Sequence, residues 1–187
     1  MIKVTLLGDS IRQIGYGTVV PQMLGDAYEV WQPAENCRFS SYTLRGMYDW
    51  KAGMEGSRIV HWNNGLWDVC DLFDDGAFTP KEIYVDTMVR IAKVLLARHD
   101  KVIFATTTPV RSGDPFNKNE RIKDYNDTLV PVLQGMGIAV NDLFTPVYAH
   151  LNEYIRESDL IHLTDAGIAA CAALTCDAIR KAAKELQ

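Results

Sequence analysis

The chain is 187 residues long, 48% hydrophobic, and carries a formal net charge of −5. That length and apolar content suit one globular domain over residues 1–187 with a sizeable core. Its basic residues are dispersed, with no basic run interleaved with aromatics, and no apolar run reaches transmembrane length; both observations argue against nucleic acid and membrane as partners.

The first apolar run begins at Ile2 with no charged leader or cleavage site before it, so a cytoplasmic location is expected. Cys37, Cys70, Cys171 and Cys176 form no C-x-x-C pair and none lies beside a histidine at zinc-finger spacing. They read as free, mostly buried thiols in a reducing compartment, and neither a metal nor a cofactor is assigned.

Residues 2–7 are an apolar, β-favouring run that stops at Gly8-Asp9-Ser10. This predicts a buried strand delivering a hydroxyl residue to its C-terminal end. Residues 11–25 carry apolar side chains at roughly helical spacing and end at Gly25, while Pro21 bends this helix or marks its true start. A short second strand is predicted over 27–32, stopped by Pro33, followed by a polar loop and a short helix over 43–51. Strand three covers 58–62 and stops at Asn63-Asn64-Gly65. The acidic loop beyond it, with Asp71, Asp74 and Asp75, reads as a solvated rim long enough for a lid or subsite wall.

Pro80 opens a long amphipathic helix over 80–98, and strand four follows at 101–106. A Gly/Pro/Asn-rich loop at 112–119 leads into a helix over 119–135, then strand five at 138–141. Residues 143–157 are partly helical, 158–162 form a loop, and 165–186 form the last, alanine-rich helix. Five strands alternating with helices imply βαβ units, a parallel sheet and right-handed crossovers.

In such a sheet the ends of all parallel strands share one rim, where ligands bind. Ser10 follows strand one, Asn63 and Asn64 follow strand three, and Asp159 and His162 lie in the last loop. Taken alone, Gly-Asp-Ser is as good a helix cap as a nucleophile, Asn-Asn-Gly is a turn, and Asp-x-x-His is a common pair. Together and in this order they supply the parts of an acyl-transfer site. Asp159 can fix the tautomer of His162, whose other ring nitrogen can take the Ser10 proton. The Ser10 N–H and the Asn64 side-chain amide can hold an oxyanion, with Asn63 as the rival donor. His61, His99 and His150 are read as structural or surface residues. Gly15-Tyr16-Gly17 lacks the third glycine of a phosphate-binding loop.

With Gly8-Asp9-Ser10 near one end and Asp159-Leu160-Ile161-His162 near the other, the chain resembles the SGNH hydrolases of the GDSL esterase/lipase family over nearly its whole length. The resemblance implies a three-layer α/β/α sandwich with a flavodoxin-like, five-stranded parallel sheet. It implies Ser10 as nucleophile and Asp159 and His162 as the rest of a triad. Two departures stand out. The family's Gly-x-Asn-Asp block is here His61-Trp62-Asn63-Asn64-Gly65-Leu66-Trp67-Asp68. The block that usually offers a glycine N–H is here Asn36-Cys37-Arg38-Phe39-Ser40-Ser41-Tyr42, without glycine. These two blocks resemble those of bacterial, carbohydrate-associated SGNH proteins.

The expected activity is therefore a serine esterase acting on a small-molecule ester, with a short acyl group such as acetyl on a carbohydrate. Trp62, Trp67 and Tyr42 are candidates for stacking on a sugar ring. The alternatives are an SGNH acyltransferase, a lysophospholipase, and a non-catalytic flavodoxin-like module that binds a small ligand.

Overall fold

The computed structural model describes residues 1–186. Its framework is one sheet of five parallel strands, β1 (Ile2–Leu7), β2 (Tyr28–Trp31), β3 (Ile59–Trp62), β4 (Lys101–Ala105) and β5 (Ala139–Asn141), in the order β2-β1-β3-β4-β5. The central strands are apolar along nearly their whole length because helices cover both faces, leaving no solvated side to alternate toward. Every residue of β3 and the second half of β1 are buried.

The helices are α1 (Ser10–Gln13), α2 (Val20–Leu24), α3 (Ser40–Asp49), α4 (Lys51–Met54), α5 (Leu66–Val69), α6 (Lys81–Leu96), α7 (Asn119–Gly135), α8 (Phe144–Ala149), α9 (Leu151–Tyr154) and α10 (Asp165–Lys184). Helix α10 packs on α2 and lies along β3, β4 and β5, while α3, α6 and α7 pack side by side on the opposite face. The result is a three-layer α/β/α sandwich with the flavodoxin-like strand order.

Strand register sets the site. Leu7 lies opposite Trp62, and Trp62 opposite Phe104, so β1, β3 and β4 end level with one another. The residues that follow, Gly8-Asp9-Ser10 and Asn63-Asn64 among them, therefore emerge side by side. The chain also leaves β1 for β2 on one side and returns to β3 on the other, which opens a crevice at this edge.

Three local differences from the sequence expectations have clear causes. The helix predicted over 11–25 is split into α1, a 3₁₀ turn at Tyr16–Thr18, and α2. A Cβ on Gly15 would lie 2.2 Å from the Ile11 carbonyl oxygen, and one on Gly17 would lie 2.6 Å from that of Arg12. Both glycines thus permit a close fold-back that a regular helix lacks, and Pro21 marks the start of α2. Helix α3 begins at Ser40, not at 43, because the Ser40 N–H and hydroxyl both bond the distant Asp68 carboxylate. A short helix, α5, interrupts the acidic loop.

All four cysteines are free, and only Cys70 reaches the surface. Among the described residues no helix is long and apolar enough to cross a membrane.

Candidate active site

The first question is what caps α1. Asp9 does: its Oδ1 accepts from the Ile11 N–H at 3.0 Å. Ser10 is thereby relieved of capping, and its Oγ lies 2.9 Å from His162 Nε2.

This corner is pinned from below by Arg12, whose side chain is fully buried with no carboxylate bonded to it. Its guanidinium donates to the carbonyls of Gly8 (3.1 Å), Pro33 (2.8 Å) and Glu35 (2.7 Å), and to Gln32 Oε1 (3.1 Å). The fixed fork of donors ties the end of β1 to the loop after β2. Cys37 completes the tie: its N–H donates to Gly8 O, and its Sγ accepts from the Gly8 N–H. Asp9 is buried as well. Burial pushes its carboxyl above the usual range, against the opposing pull of Asn63, Ile11, Arg12 and His162.

The other half of the site is built locally. Asp159 Oδ1 accepts from the N–H groups of Ile161 (3.0 Å) and His162 (2.8 Å), and its Oδ2 faces His162 Nδ1 at 3.0 Å. Leu160 between them takes a left-handed backbone, φ +65°, a conformation costly for a branched residue and one that tightens the turn. The loop is anchored by an antiparallel bridge between Ile155 and Leu163 and by Arg156, which donates to the carbonyls of His162 and Leu163. Desolvation works to raise the Asp159 carboxyl, but the His162 and Ile161 N–H groups and the His162 ring outweigh it and hold it below its ordinary value. With Asp159 accepting from Nδ1–H, Nε2 is the free lone pair that faces the Ser10 hydroxyl.

Both asparagines after β3 are buried, but they point to different neighbours. Asn64 Nδ2 spends its two hydrogens on Arg38 O (2.9 Å) and Thr43 Oγ1 (2.8 Å), and the Asn64 backbone carbonyl accepts from the Tyr84 and Thr107 hydroxyls. Asn63 lies on Gly8, where a Cβ would come within 2.1 Å of its Oδ1. Its Nδ2 donates to Asp9 Oδ1 at 3.0 Å, and its Oδ1 accepts from the Tyr16 hydroxyl at 2.7 Å. The second Asn63 Nδ2 hydrogen has no hydrogen-bond partner among the described residues.

In the glycine-free block, Arg38 takes the left-handed backbone at φ +50° and its N–H bonds Asn36 Oδ1. The N–H groups of Ser41 and Tyr42 fall in the first turn of α3, where a helix has no internal partner for them.

Trp62 is removed from the stacking candidates: it is fully buried, edge-on to Phe104 at 5.0 Å. Tyr42 is half-buried, bonded to Glu35 and covered by Arg38. Trp67 is exposed, and so are Leu72, Phe73, Phe78 and Phe116 on the loops after β3 and β4. These loops are joined by the Asp71 N–H to Phe116 O bond, and Phe78 packs on Phe39 at 5.3 Å. In the sequence this stretch reads as acidic; the fold exposes its apolar side chains at the rim. His61 is a core residue of β3, bonded to Asn141, and burial lowers its pKa to about 3. Among the described residues no cluster of His, Cys, Asp and Glu has metal-ligand geometry. A cavity of about 630 Å³ lies elsewhere, between α3, α4 and α6, and contains none of the site residues.

No protein-family model matches the chain, and no curated protein matches it. Solved structures do. The acetyl xylan esterase AlAXEase superposes with a TM-score of 0.81 at 20% identity, over 95% of this chain and 100% of that one. The lipase/acylhydrolase from Enterococcus faecalis gives 0.76 at 21% identity, over 97% and 96%. A catalytic mutant of the acetylxylan esterase Axe2 from Geobacillus stearothermophilus gives 0.77 at 14% identity, over 93% and 92%. At such identities the likeness is one of fold: the chain has the fold of the SGNH hydrolases.

Proposed function

We propose that this protein is a serine esterase that hydrolyses carboxylic esters through an acyl-enzyme, with Ser10 as nucleophile, His162 as general base and acid, and Asp159 as the group that orients His162. The observation that carries the proposal is the unbroken chain Ser10 Oγ, His162 Nε2, His162 Nδ1, Asp159 Oδ2, with links of 2.9 and 3.0 Å between residues 152 and three positions apart. A serine hydroxyl is a weak nucleophile without such a base.

In this mechanism Ser10 Oγ bonds to the ester carbonyl carbon as its proton passes to His162 Nε2. The carbonyl π electrons move onto oxygen. Collapse of that oxyanion breaks the bond to the alcohol oxygen, which leaves with the proton from Nε2. Water, deprotonated by His162, then attacks the acyl-Ser10 carbonyl, and the acid is released as Ser10 recovers its proton. Asp159 stays ionised throughout and stabilises the imidazolium.

For the oxyanion we assign Asn63 in place of Asn64. Both hydrogens of Asn64 are committed elsewhere, whereas Asn63 sits on Gly8 with one N–H uncommitted. The Ser10 N–H is the second donor, and a free N–H in the first turn of α3 takes the place of the family's glycine.

The substrate we favour is a short acyl ester, acetyl on a carbohydrate, in line with the acetyl xylan esterases among the structural neighbours. The exposed rim of Trp67, Phe73, Phe78 and Phe116 supports a second reading, a longer acyl chain as in a lysophospholipase. Turnover along a p-nitrophenyl ester series separates them: a short-acyl esterase loses kcat/KM steadily beyond acetate and propionate, a lysophospholipase gains it. The reading as a whole is tested by labelling with a fluorophosphonate and by Ser10→Ala. The wild type should be labelled at Ser10, and the variant should lose both labelling and turnover of p-nitrophenyl acetate by about 10⁴-fold or more. A Ser10→Ala protein that keeps most of its turnover overturns the assignment.

A further inference from the structure

Gly15-Tyr16-Gly17 fails as a phosphate loop, yet it interrupts what would otherwise be a single helix. The interruption places one side chain. Tyr16 lies in the 3₁₀ turn, is fully buried, and stands edge-on to the His61 ring with centroids 5.6 Å apart. Its hydroxyl reaches Asn63 Oδ1 at 2.7 Å.

The two ends of an asparagine amide have nearly the same shape, so packing cannot fix which end is which; hydrogen bonds must. At Asn63 two bonds do so in the same sense. Tyr16 gives a proton to Oδ1, and Asp9 Oδ1 takes one from Nδ2 at 3.0 Å. A flipped amide would set its oxygen against the Asp9 carboxylate and turn an acceptor toward the place where an oxyanion develops. Burial, first, and the nearby Asp9 charge push the Tyr16 phenol well above its ordinary pKa, so it remains a donor at any working pH.

We propose that Tyr16 is the positioning residue of the oxyanion hole: its hydroxyl holds the Asn63 amide with N–H, not C=O, toward the reacting carbonyl. The proposal rests on the esterase reading above and goes further by giving a role in the reaction to a residue that touches no substrate. Asp9 shares the work from the other end of the amide, which is why removing the Tyr16 hydroxyl should impair the reaction without abolishing it.

The test is a double-mutant cycle on the full chain with p-nitrophenyl acetate: wild type, Tyr16→Phe, Asn63→Ala, and both together. Tyr16→Phe keeps the ring on His61 and removes only the hydroxyl. It should lower kcat about tenfold with KM within about twofold. In the Asn63→Ala background the same change should cost less than about twofold, because no amide remains to orient. Equal losses in both backgrounds, or no loss in the first, overturn the proposal and leave Tyr16 a packing residue. Should Asn63→Ala fail to fold, the rate of fluorophosphonate inactivation of Tyr16→Phe decides instead: it slows in step with kcat if the hole is mis-set, and stays at the wild-type rate if it is not. A wild type that neither turns over the ester nor takes the label overturns the esterase reading and this proposal with it. Turnover and labelling with an additive cycle overturn this proposal alone.

Discussion

The two halves of the site are built by opposite means. The Ser10 half stands on the core: Asp9 and Arg12 are about 1% exposed, and their bonds reach 20 to 54 residues along the chain to Gln32, Glu35 and Asn63. The His162 half stands on its own turn. Asp159, Leu160 and His162 are tied mainly within a span of eight residues, 156–163, with one distant bond from the Arg111 N–H to the Leu160 carbonyl, and the Asp159 and His162 side chains keep 35% and 26% of their exposure. The nucleophile is therefore located by tertiary packing and the base by local hydrogen bonds. A fault in the first half should be felt in folding as well as rate, a fault in the second mostly in rate.

Asp159→Asn is the sharpest way to break this contrast. The variant keeps an oxygen for the Ile161 and His162 N–H groups but turns an amide toward His162 Nδ1. That favours the wrong tautomer, and kcat should fall about 10³- to 10⁴-fold. The melting temperature at neutral pH should move by no more than a few degrees, since the pair is partly solvated. Large, parallel losses of stability and rate would mean that this loop, too, is locked by the core.

The asparagines give the next largest effect. Asn63→Ala should lower kcat about 100- to 1000-fold, the usual loss for one oxyanion donor. Asn64→Ala should lower kcat far less, but it strips buried partners from Arg38 O and Thr43 Oγ1, at a cost of about 1–3 kcal/mol to stability. Kinetics and urea unfolding on the two variants should therefore rank them in opposite orders. If Asn64→Ala is the slower enzyme, the donor assignment reverses.

What could be read from the sequence follows the same division. Asp159 and His162 are legible because their geometry is local: three residues apart, one turn holds both. The three central strands are legible because strands buried on both faces have to be apolar. The sequence favours Asn64 over its rival Asn63 as the oxyanion donor, but the choice depends on register. Leu7 pairs with Trp62, which sets Asn63 against Gly8, and the next residue faces the α3 side. A slip of one residue would exchange them. Arg12 and Tyr16 are silent in the sequence for a related reason. A buried arginine bonded to carbonyls, and a tyrosine lodged in a break between two short helices, have no signature apart from the distant groups they meet. The broken helix does have a sign, the pair Gly15 and Gly17, but their meaning lies in close approaches to Ile11 and to Arg12 and Gln32 respectively.

The smallest expected effect concerns pH, and it separates the halves by where they titrate. In the core, burial lowers His61 from 6.5 to about 3. Folding keeps that ring neutral, so its contribution is complete above pH 6.5 and is lost as pH falls toward 3. Beneath the site, burial raises Asp68 from 3.8 to about 6 despite its bonds from Ser40. Its contribution has the other sign: present below 3.8 and lost as pH rises through 6. Between roughly pH 4 and 6 the two slopes oppose, each at most about 1.4 kcal/mol per pH unit, and Asp9, raised by burial as well, acts in the same direction as Asp68. Asp159, held below its ordinary value, withdraws its support only under more acid conditions. Asp68→Asn removes one of the opposing slopes. In urea unfolding at pH 6, 5 and 4, acidification should then cost the variant about 1 kcal/mol per unit more than it costs the wild type. A variant whose profile matches that of the wild type would mean that burial does not raise Asp68 in the folded protein.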